Sequence, residues 1–323
     1  MGRFVFGNLP ALDALVEKAS AGIGGDIAAL RIPRLAGVVL GGGYGRGEGG
    51  ARKNADGEFI LSNDLDFFAV TEKGEGGDAT VPIADALRPV SEKWTAKLGI
   101  DVDFAVKTPW RLKHDEERIM VQELLRGHFD VAGDKGEKMF AGIAKRDAAA
   151  LPWMEAARLL MNRGMGLLLA RARHGEQGNG KREKDFVARN INKCILGAGD
   201  ARLVARNAYA WRAEDRAETL GDSLYRAAIE WKFRPSEEPV CDLETARGCW
   251  LDAFEEVTGA ADRAGRSRTL RNAARWLVRR RTVGKLRTFA LDPVVRVLDE
   301  IAAKVRGRGV PDAALMRDWE IFN

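Results

Sequence analysis

The chain has 323 residues, 46% of them apolar, which is enough for two domains of ordinary size, each with its own core. Lys and Arg outnumber Asp and Glu by 52 to 47, a balance that favours anionic partners without resembling a nucleic-acid-coating tail. Three cysteines with no CxxC spacing exclude a disulfide framework and a zinc knot, and no apolar run reaches membrane-spanning or signal-peptide length, so a reduced, cytoplasmic protein is expected.

Up to about residue 150 the sequence alternates short β-branched or aromatic runs with helical spacing, the pattern of an α/β layer. The first strand falls at residues 36–40 and leads into Gly41-Gly42-Gly43-Tyr44-Gly45-Arg46-Gly47-Glu48-Gly49-Gly50. Glycines after a strand let backbone N–H groups approach an anion. One formal dinucleotide fingerprint exists, Gly45-x-Gly47-x-x-Gly50, but residues 53–58 read as a hairpin turn rather than the helix that a Rossmann unit needs. A Walker motif fails because no Gly-Lys-Ser/Thr follows.

The second strand, 65–70, opens on Asn63-Asp64-Leu65-Asp66. Two acids separated by one residue share a face of a strand, while Leu65 and Phe67 turn to the core. Adjacent carboxylates repel, so the arrangement favours bound divalent cations. A helix over 82–98 leads to a third strand, 100–106, which carries Asp101 and Asp103 with the same period. Beside the second strand, Asp103 would complete a three-carboxylate cluster able to hold two Mg²⁺ ions, with Mn²⁺ as the alternative. Asp101 competes for that place; Asp103 is preferred because Phe104-Ala105-Val106 follows it as Phe67-Phe68-Ala69-Val70 follows Asp66. A short edge strand is expected at 129–134.

From about residue 151 to 323 the composition shifts to Ala, Leu, Arg and Glu with no period-2 run, so an all-helical domain is expected. Its helices are placed at 152–173, 183–196, 200–211, 215–232, 242–257, 269–280 and 293–305, with a loop at 174–181. Trp211, Trp231, Trp250 and Trp276 read as bundle core. His114, His128 and His174 lack ligand spacing. Between 262 and 287 stand ten Lys or Arg against one Asp, including Arg271, Arg275 and Arg279 on one helical stripe. Such a run is usually a solvated face but could track a phosphate backbone.

The Gly-Gly turn at Gly42 and Gly43, Asp64-x-Asp66 on one strand and Asp103 on a neighbour resemble the nucleotidyltransferase superfamily typified by DNA polymerase beta. The run Gly-Gly-Tyr-Gly-Arg-Gly-Glu-Gly is similar to stand-alone bacterial members with a C-terminal helical bundle, and Asp130-Val131-Ala132-Gly133-Asp134 looks like the strand that closes their catalytic domain. The resemblance implies a polymerase-beta-like α+β catalytic domain over 1–150 with a mixed sheet, and a helical domain over 151–323. It implies transfer of a nucleoside monophosphate from a nucleoside triphosphate such as ATP to an acceptor hydroxyl or phosphate, releasing pyrophosphate. Asp64, Asp66 and Asp103 would hold the metals, and Asp103 would also help deprotonate the acceptor. Gly42, Gly43, Tyr44, Arg46, Glu48 and Asn63 would surround the nucleotide, and the turn from 42 to 47 would cradle its phosphates. Lys193 would reach the phosphates from the helical half. A small-molecule or protein acceptor is favoured over RNA, and a membrane partner is not expected. The competing readings are a catalytically silent nucleotide-binding regulator and an RNA-binding module.

Overall fold

The computed structural model describes residues 2–74, 76–175, 181–259 and 293–322. They form two compact units, one of Met1–Arg146 with Phe233–Pro235 and one of Asp147–Lys232 with Ser236–Asn323. The architecture is α+β, with one mixed four-stranded sheet, all of it in the first unit.

The first unit begins with α1 (Pro10–Leu30), which the sequence reading had not placed. Its apolar residues Leu12, Val16, Ala19, Ile23 and Ile27 recur at helical spacing and are all buried. Pro10 starts it without loss, since the first N–H of a helix has no intrahelical acceptor. The Asp13 carboxylate accepts from the N–H groups of Arg3, Phe4 and Val5 at 2.8, 2.9 and 2.9 Å, tying the preceding segment down.

β1 (Leu35–Leu40) follows, then a single helical turn, α2 (Gly42–Gly45), and a hairpin of β2 (Ala51–Lys53) and β3 (Phe59–Leu61). Asn54 Oδ1 closes that hairpin by accepting from the N–H groups of Asp56 and Glu58. β4 (Leu65–Thr71), α3 (Thr80–Leu98) and β5 (Val102–Lys107) make a strand, helix, strand crossover, which is why β4 and β5 pair in parallel. Two short helices, α4 (Pro109–His114) and α5 (Ile119–Arg126), lead to β6 (Phe129–Gly133) and α6 (Gly136–Met139).

The strand order is β5-β4-β1-β6, with β1 antiparallel to both of its neighbours. Alternation along the strands supplies two apolar faces. Leu40, Leu65, Phe67, Ala69 and Val102 pack with residues of α1 and α3, among them Ile23, Ile83 and Leu87. Val39, Phe68 and Val70 pack on the other side with Leu112, Val121, Leu124 and Met139.

Among the described residues the second unit is helical throughout. It contains α7 (Trp153–Gly175), α8 (Lys181–Ala205), α9 (Ala213–Leu220), α10 (Ser223–Phe233), α11 (Leu243–Thr258), α12 (Pro293–Arg306) and α13 (Ala313–Phe322). Two helices expected at 183–196 and 200–211 are one, because Gly197 and Gly199 sit at close approaches rather than at a break. A Cβ would stand 2.2 Å from Arg163 Cγ at Gly197 and 2.2 Å from the Tyr225 ring at Gly199. The helix expected over 215–232 is divided at Gly221, whose φ of +68° ends α9. Trp250 is wholly buried, its Nε1 donating to the Leu160 carbonyl at 3.0 Å, whereas Trp211 and Trp231 are only half-buried. The expected helix at 269–280, with Arg271, Arg275, Arg279 and Trp276, lies outside the described residues, as does most of the loop expected at 174–181. Among the described residues no helix is long and apolar enough to cross a membrane.

Candidate functional site

Of the acids of the sequence motif, Asp66 and Asp103 come level near the start of β4 and β5, but the expected three-carboxylate cluster with Asp64 is not formed among the described residues. In the parallel register Asp66 stands opposite Asp103, so both side chains leave the same face of the sheet. That face is the one carrying Phe68 and Val70, while Leu65 and Phe67 on the opposite parity are completely buried. The intervening apolar residues therefore fix the direction of the acids. Asp64 precedes β4 by one residue, and Asp101 precedes β5 and accepts the Leu65 N–H at 2.9 Å through its carbonyl.

Asp103 is surface-exposed on one side, yet partial loss of water raises its pKa above the usual carboxylate value, and the charges of Asp64 and then Asp101 raise it further. A carboxyl raised in this way holds its proton longer in the native state than in the unfolded chain. Stability therefore falls as pH climbs from the ordinary carboxylate range through the raised value. Asp103→Asn is expected to increase Tm at neutral pH in the presence of a chelator, with the gain shrinking on acidification. A lower Tm for the variant at neutral pH would contradict this electrostatic account.

The glycine turn closes on Asp66. β1 ends with Leu40 opposite Phe67, and Gly41 N–H donates to the Asp66 carbonyl at 2.8 Å. Gly42 has φ +60°, and a Cβ there would lie 2.1 Å from Asp66 Oδ2. The main chain thus abuts the carboxylate at a distance only glycine allows. The N–H groups of Gly45, Arg46, Gly47 and Glu48 donate to carbonyls within the turn itself. Those of Gly42, Gly43 and Tyr44 belong to the first turn of α2, where a helix offers no intrahelical acceptor. Of the cradle expected over 42–47, the N–H groups of 45–47 are therefore taken up by the turn itself.

Tyr44, expected at the nucleotide, points into the core with 1% exposure. Its hydroxyl donates to the Gly50 carbonyl at 2.8 Å and accepts the Ser62 N–H at 3.4 Å, and burial pushes its pKa up to about 12. It joins the turn to the approach of β4. Arg46 pairs with Glu123 at 2.8 Å and Glu48 at 3.4 Å, with the three side chains only 14, 18 and 13% exposed. Its Cγ would lie 2.6 Å from a Cβ on Gly127, so Arg46 orders the turn by packing as well as by charge. Glu123 was not foreseen; it lies 77 residues along the chain from Arg46, and no local pattern marks it.

Asn63 stands directly before the acids, and its buried Oδ1 has no hydrogen-bond partner among the described residues; the Ser62 hydroxyl shares that condition. Lys193 is exposed on α8 of the second unit, where Arg189 pairs with Asp185 at 2.8 Å. The histidines do not gather: His114 stacks on Trp110, and His128 Nδ1 lies 2.8 Å from the Leu124 carbonyl.

Among the described residues no three His, Cys, Asp or Glu side chains converge as a ready metal cage. The donor set nevertheless suits a hard divalent cation. Mg²⁺ is held by one or two carboxylates together with water and substrate phosphates rather than by an all-protein cage. The register pair Asp66 and Asp103 could supply that number of oxygen ligands. The chain matches no protein-family model and no curated protein.

Proposed function

We propose that the first unit is a nucleotidyltransferase domain of the DNA polymerase beta type, moving a nucleoside monophosphate from a triphosphate to an acceptor hydroxyl or phosphate. The observation that carries this reading is the placement of Asp66 and Asp103 as register partners on adjacent strands, with the Gly42 main chain against Asp66. The motif that suggested the family needs its acids on neighbouring strands of one sheet, and a strand pair in any other register would have separated them.

Asp66 and Asp103 would hold divalent Mg²⁺, with Asp64 as the third acid. When bound, the metal supplies charge neutralisation along the triphosphate and lowers the pKa of the attacking group. Everything else falls to the chain. The N–H groups of Gly42, Gly43 and Tyr44 would donate to phosphate oxygens, and the ion pairs of Arg46 would hold that turn in place. Asp103 would take the proton of the acceptor as its oxygen bonds to the α-phosphorus. The bond from the α-phosphorus to the bridging oxygen breaks, and pyrophosphate leaves. Because positioning and charge carry phosphoryl chemistry, no nucleophilic side chain is needed.

Binding is tested directly by thermal unfolding. A triphosphate with Mg²⁺ at about 100 times its Kd should stabilise the native protein by roughly 2.7 kcal/mol, and a chelator should cancel the gain. Absence of a shift with all four ribonucleotides and all four deoxyribonucleotides would remove the basis of the proposal. Pyrophosphate release in the presence of a host extract then identifies the acceptor class.

A further inference from the structure

We propose that Arg234 is a positioning residue for the triphosphate, keeping the glycine turn in its binding form by holding the N-terminal segment behind it. The inference rests on the nucleotidyltransferase reading above. Between α10 and α11 the chain returns to the first unit for three residues, Phe233–Pro235. Arg234 Nη2 donates to the Phe6 carbonyl at 2.6 Å, across 228 residues of sequence, and Nη1 to the Phe233 carbonyl at 2.9 Å. One guanidinium thus ties two backbones together. The Phe6 and Phe233 rings stack beside that tie, with centroids 3.8 Å apart and planes 5° from parallel. The guanidinium also lies 5.4 Å from the centroid of the Phe59 ring on β3, within cation–π reach.

The segment held in this way backs the glycine turn. Gly49 N–H donates to the Phe4 carbonyl at 3.0 Å, Phe6 N–H donates to the Gly49 carbonyl at 2.9 Å, and Val5 pairs with Gly49 as a parallel bridge. Gly47 rests on the same segment: a Cβ there would lie 3.2 Å from the Gly2 carbonyl oxygen and 3.4 Å from that of Arg3. Asp13 grips the segment by the N–H groups of Arg3, Phe4 and Val5, and Arg234 grips it by the carbonyl of Phe6. From the backed residues the turn folds over onto its own start. Gly47 N–H donates to the Tyr44 carbonyl at 3.3 Å and Glu48 N–H to the Gly43 carbonyl at 2.8 Å. A shift of the segment therefore reaches the peptide groups of 43 and 44.

Asp66 and Asp103 depend on a different support, the pairing of β4 with β5. Loss of Arg234 should accordingly loosen the phosphate donors and leave the acids in place. A turn that occupies its binding form only part of the time weakens apparent affinity by that fraction. A triphosphate that does bind restores the form, and the chemical step then runs as before. A merely structural role has the opposite kinetic signature. General loss of stability removes active protein, so apparent kcat falls while KM stays the same.

The test is R234A in the full chain, read by initial rates of pyrophosphate release with Mg²⁺ and by amide hydrogen exchange without nucleotide. KM for the triphosphate should rise about tenfold, with kcat within about twofold of wild type. Exchange should quicken in residues 2–6 and 43–49 and stay unchanged in α3. R234K keeps the charge but not the planar fork, so it should recover part of the affinity. F6A removes the stack and should raise KM by a similar factor. The double variant R234A/F6A should show less than the product of the two single effects, because both cut one link. Where R234A fails to fold, R234K and F6A carry the same comparison. Unchanged KM, a fall in kcat at constant KM, or unchanged exchange over 43–49 would each overturn the proposal. A wild-type protein that neither binds triphosphate with Mg²⁺ nor releases pyrophosphate would remove the nucleotidyltransferase reading, and this role with it, whatever the exchange shows.

Discussion

Asp66→Asn is expected to lower the proposed nucleotidyl transfer by about 10³-fold, or about 4 kcal/mol of transition-state stabilisation, while leaving the fold intact. The substitution keeps volume and shape and removes only the charge. Asp66 lies within β4, flanked by the buried Leu65 and Phe67 and backed by the Gly42 main chain, so the amide would occupy the same position. What it would lose, on the proposed reading, is a ligand for a hard cation, for which a neutral amide is much poorer. Asp103→Asn should cost a similar factor, because it is the register partner. Asp101→Asn should stay within a few-fold of wild type, since Asp101 lies before β5 and acts on Asp103 only through its charge. Initial rates of pyrophosphate release at saturating Mg²⁺ and triphosphate provide the measurement. Near wild-type rates for Asp66→Asn would mean that the chemistry lies elsewhere.

The contrast between Asp101 and Asp103 also shows where the sequence stopped being informative. Both acids have the same parity on the strand, so period-2 reasoning places them on one face and cannot choose between them. Register separates them in space: Leu65 pairs with Val102, which brings Asp103 rather than Asp101 level with Asp66. Register depends on how α3 returns the chain to the sheet, a distance that no local window contains. Within single elements the reading was sound. The strands 36–40 and 65–70 differ from β1 and β4 by one residue at one end, because unbroken β-branched and aromatic runs bounded by Gly, Asn and Asp leave little freedom.

The misreadings have a common physical origin in glycine. Gly197 and Gly199 were taken as a break between helices, yet each sits where another side chain approaches the backbone of α8. In isolation a glycine that ends a helix and one that admits a neighbour look the same. Gly221, with its left-handed φ, is the terminator, and nothing local distinguishes it from the other two. Long-range ion pairs were equally hidden. Arg46, expected beside the nucleotide, pairs with Glu123 because α5 packs beside α2, a contact that no local window contains. α1 is a different case: Leu12, Val16, Ala19, Ile23 and Ile27 carry its apolar spacing within the local sequence.

Gly42→Ala should cost about 2–5 kcal/mol of stability and remove most of the proposed transfer activity, although the side chain added is a single methyl group. Two terms add. At φ +60° an L-residue with a Cβ loses about 1–2 kcal/mol relative to glycine. The methyl group would also stand 2.1 Å from Asp66 Oδ2 and 3.0 Å from its Cβ and Cγ, an overpacking that typically costs about 1–3 kcal/mol. Asp66 cannot yield without leaving its rotamer, because its backbone is held by the sheet and its carbonyl accepts from Gly41. The clash is therefore relieved by moving the carboxylate or the turn, and either displaces the groups proposed to meet the metal and the phosphates. Gly43→Ala is the matched control. Gly43 has no positive φ, and its Cβ would meet the Glu48 carbonyl oxygen at 3.2 Å, a contact that a few tenths of an ångström relieve. Urea unfolding of both variants, paired with their rates of pyrophosphate release, should show a large loss at 42 and a small one at 43. Equal behaviour of the two would show that the main chain at Gly42 does not set the position of Asp66.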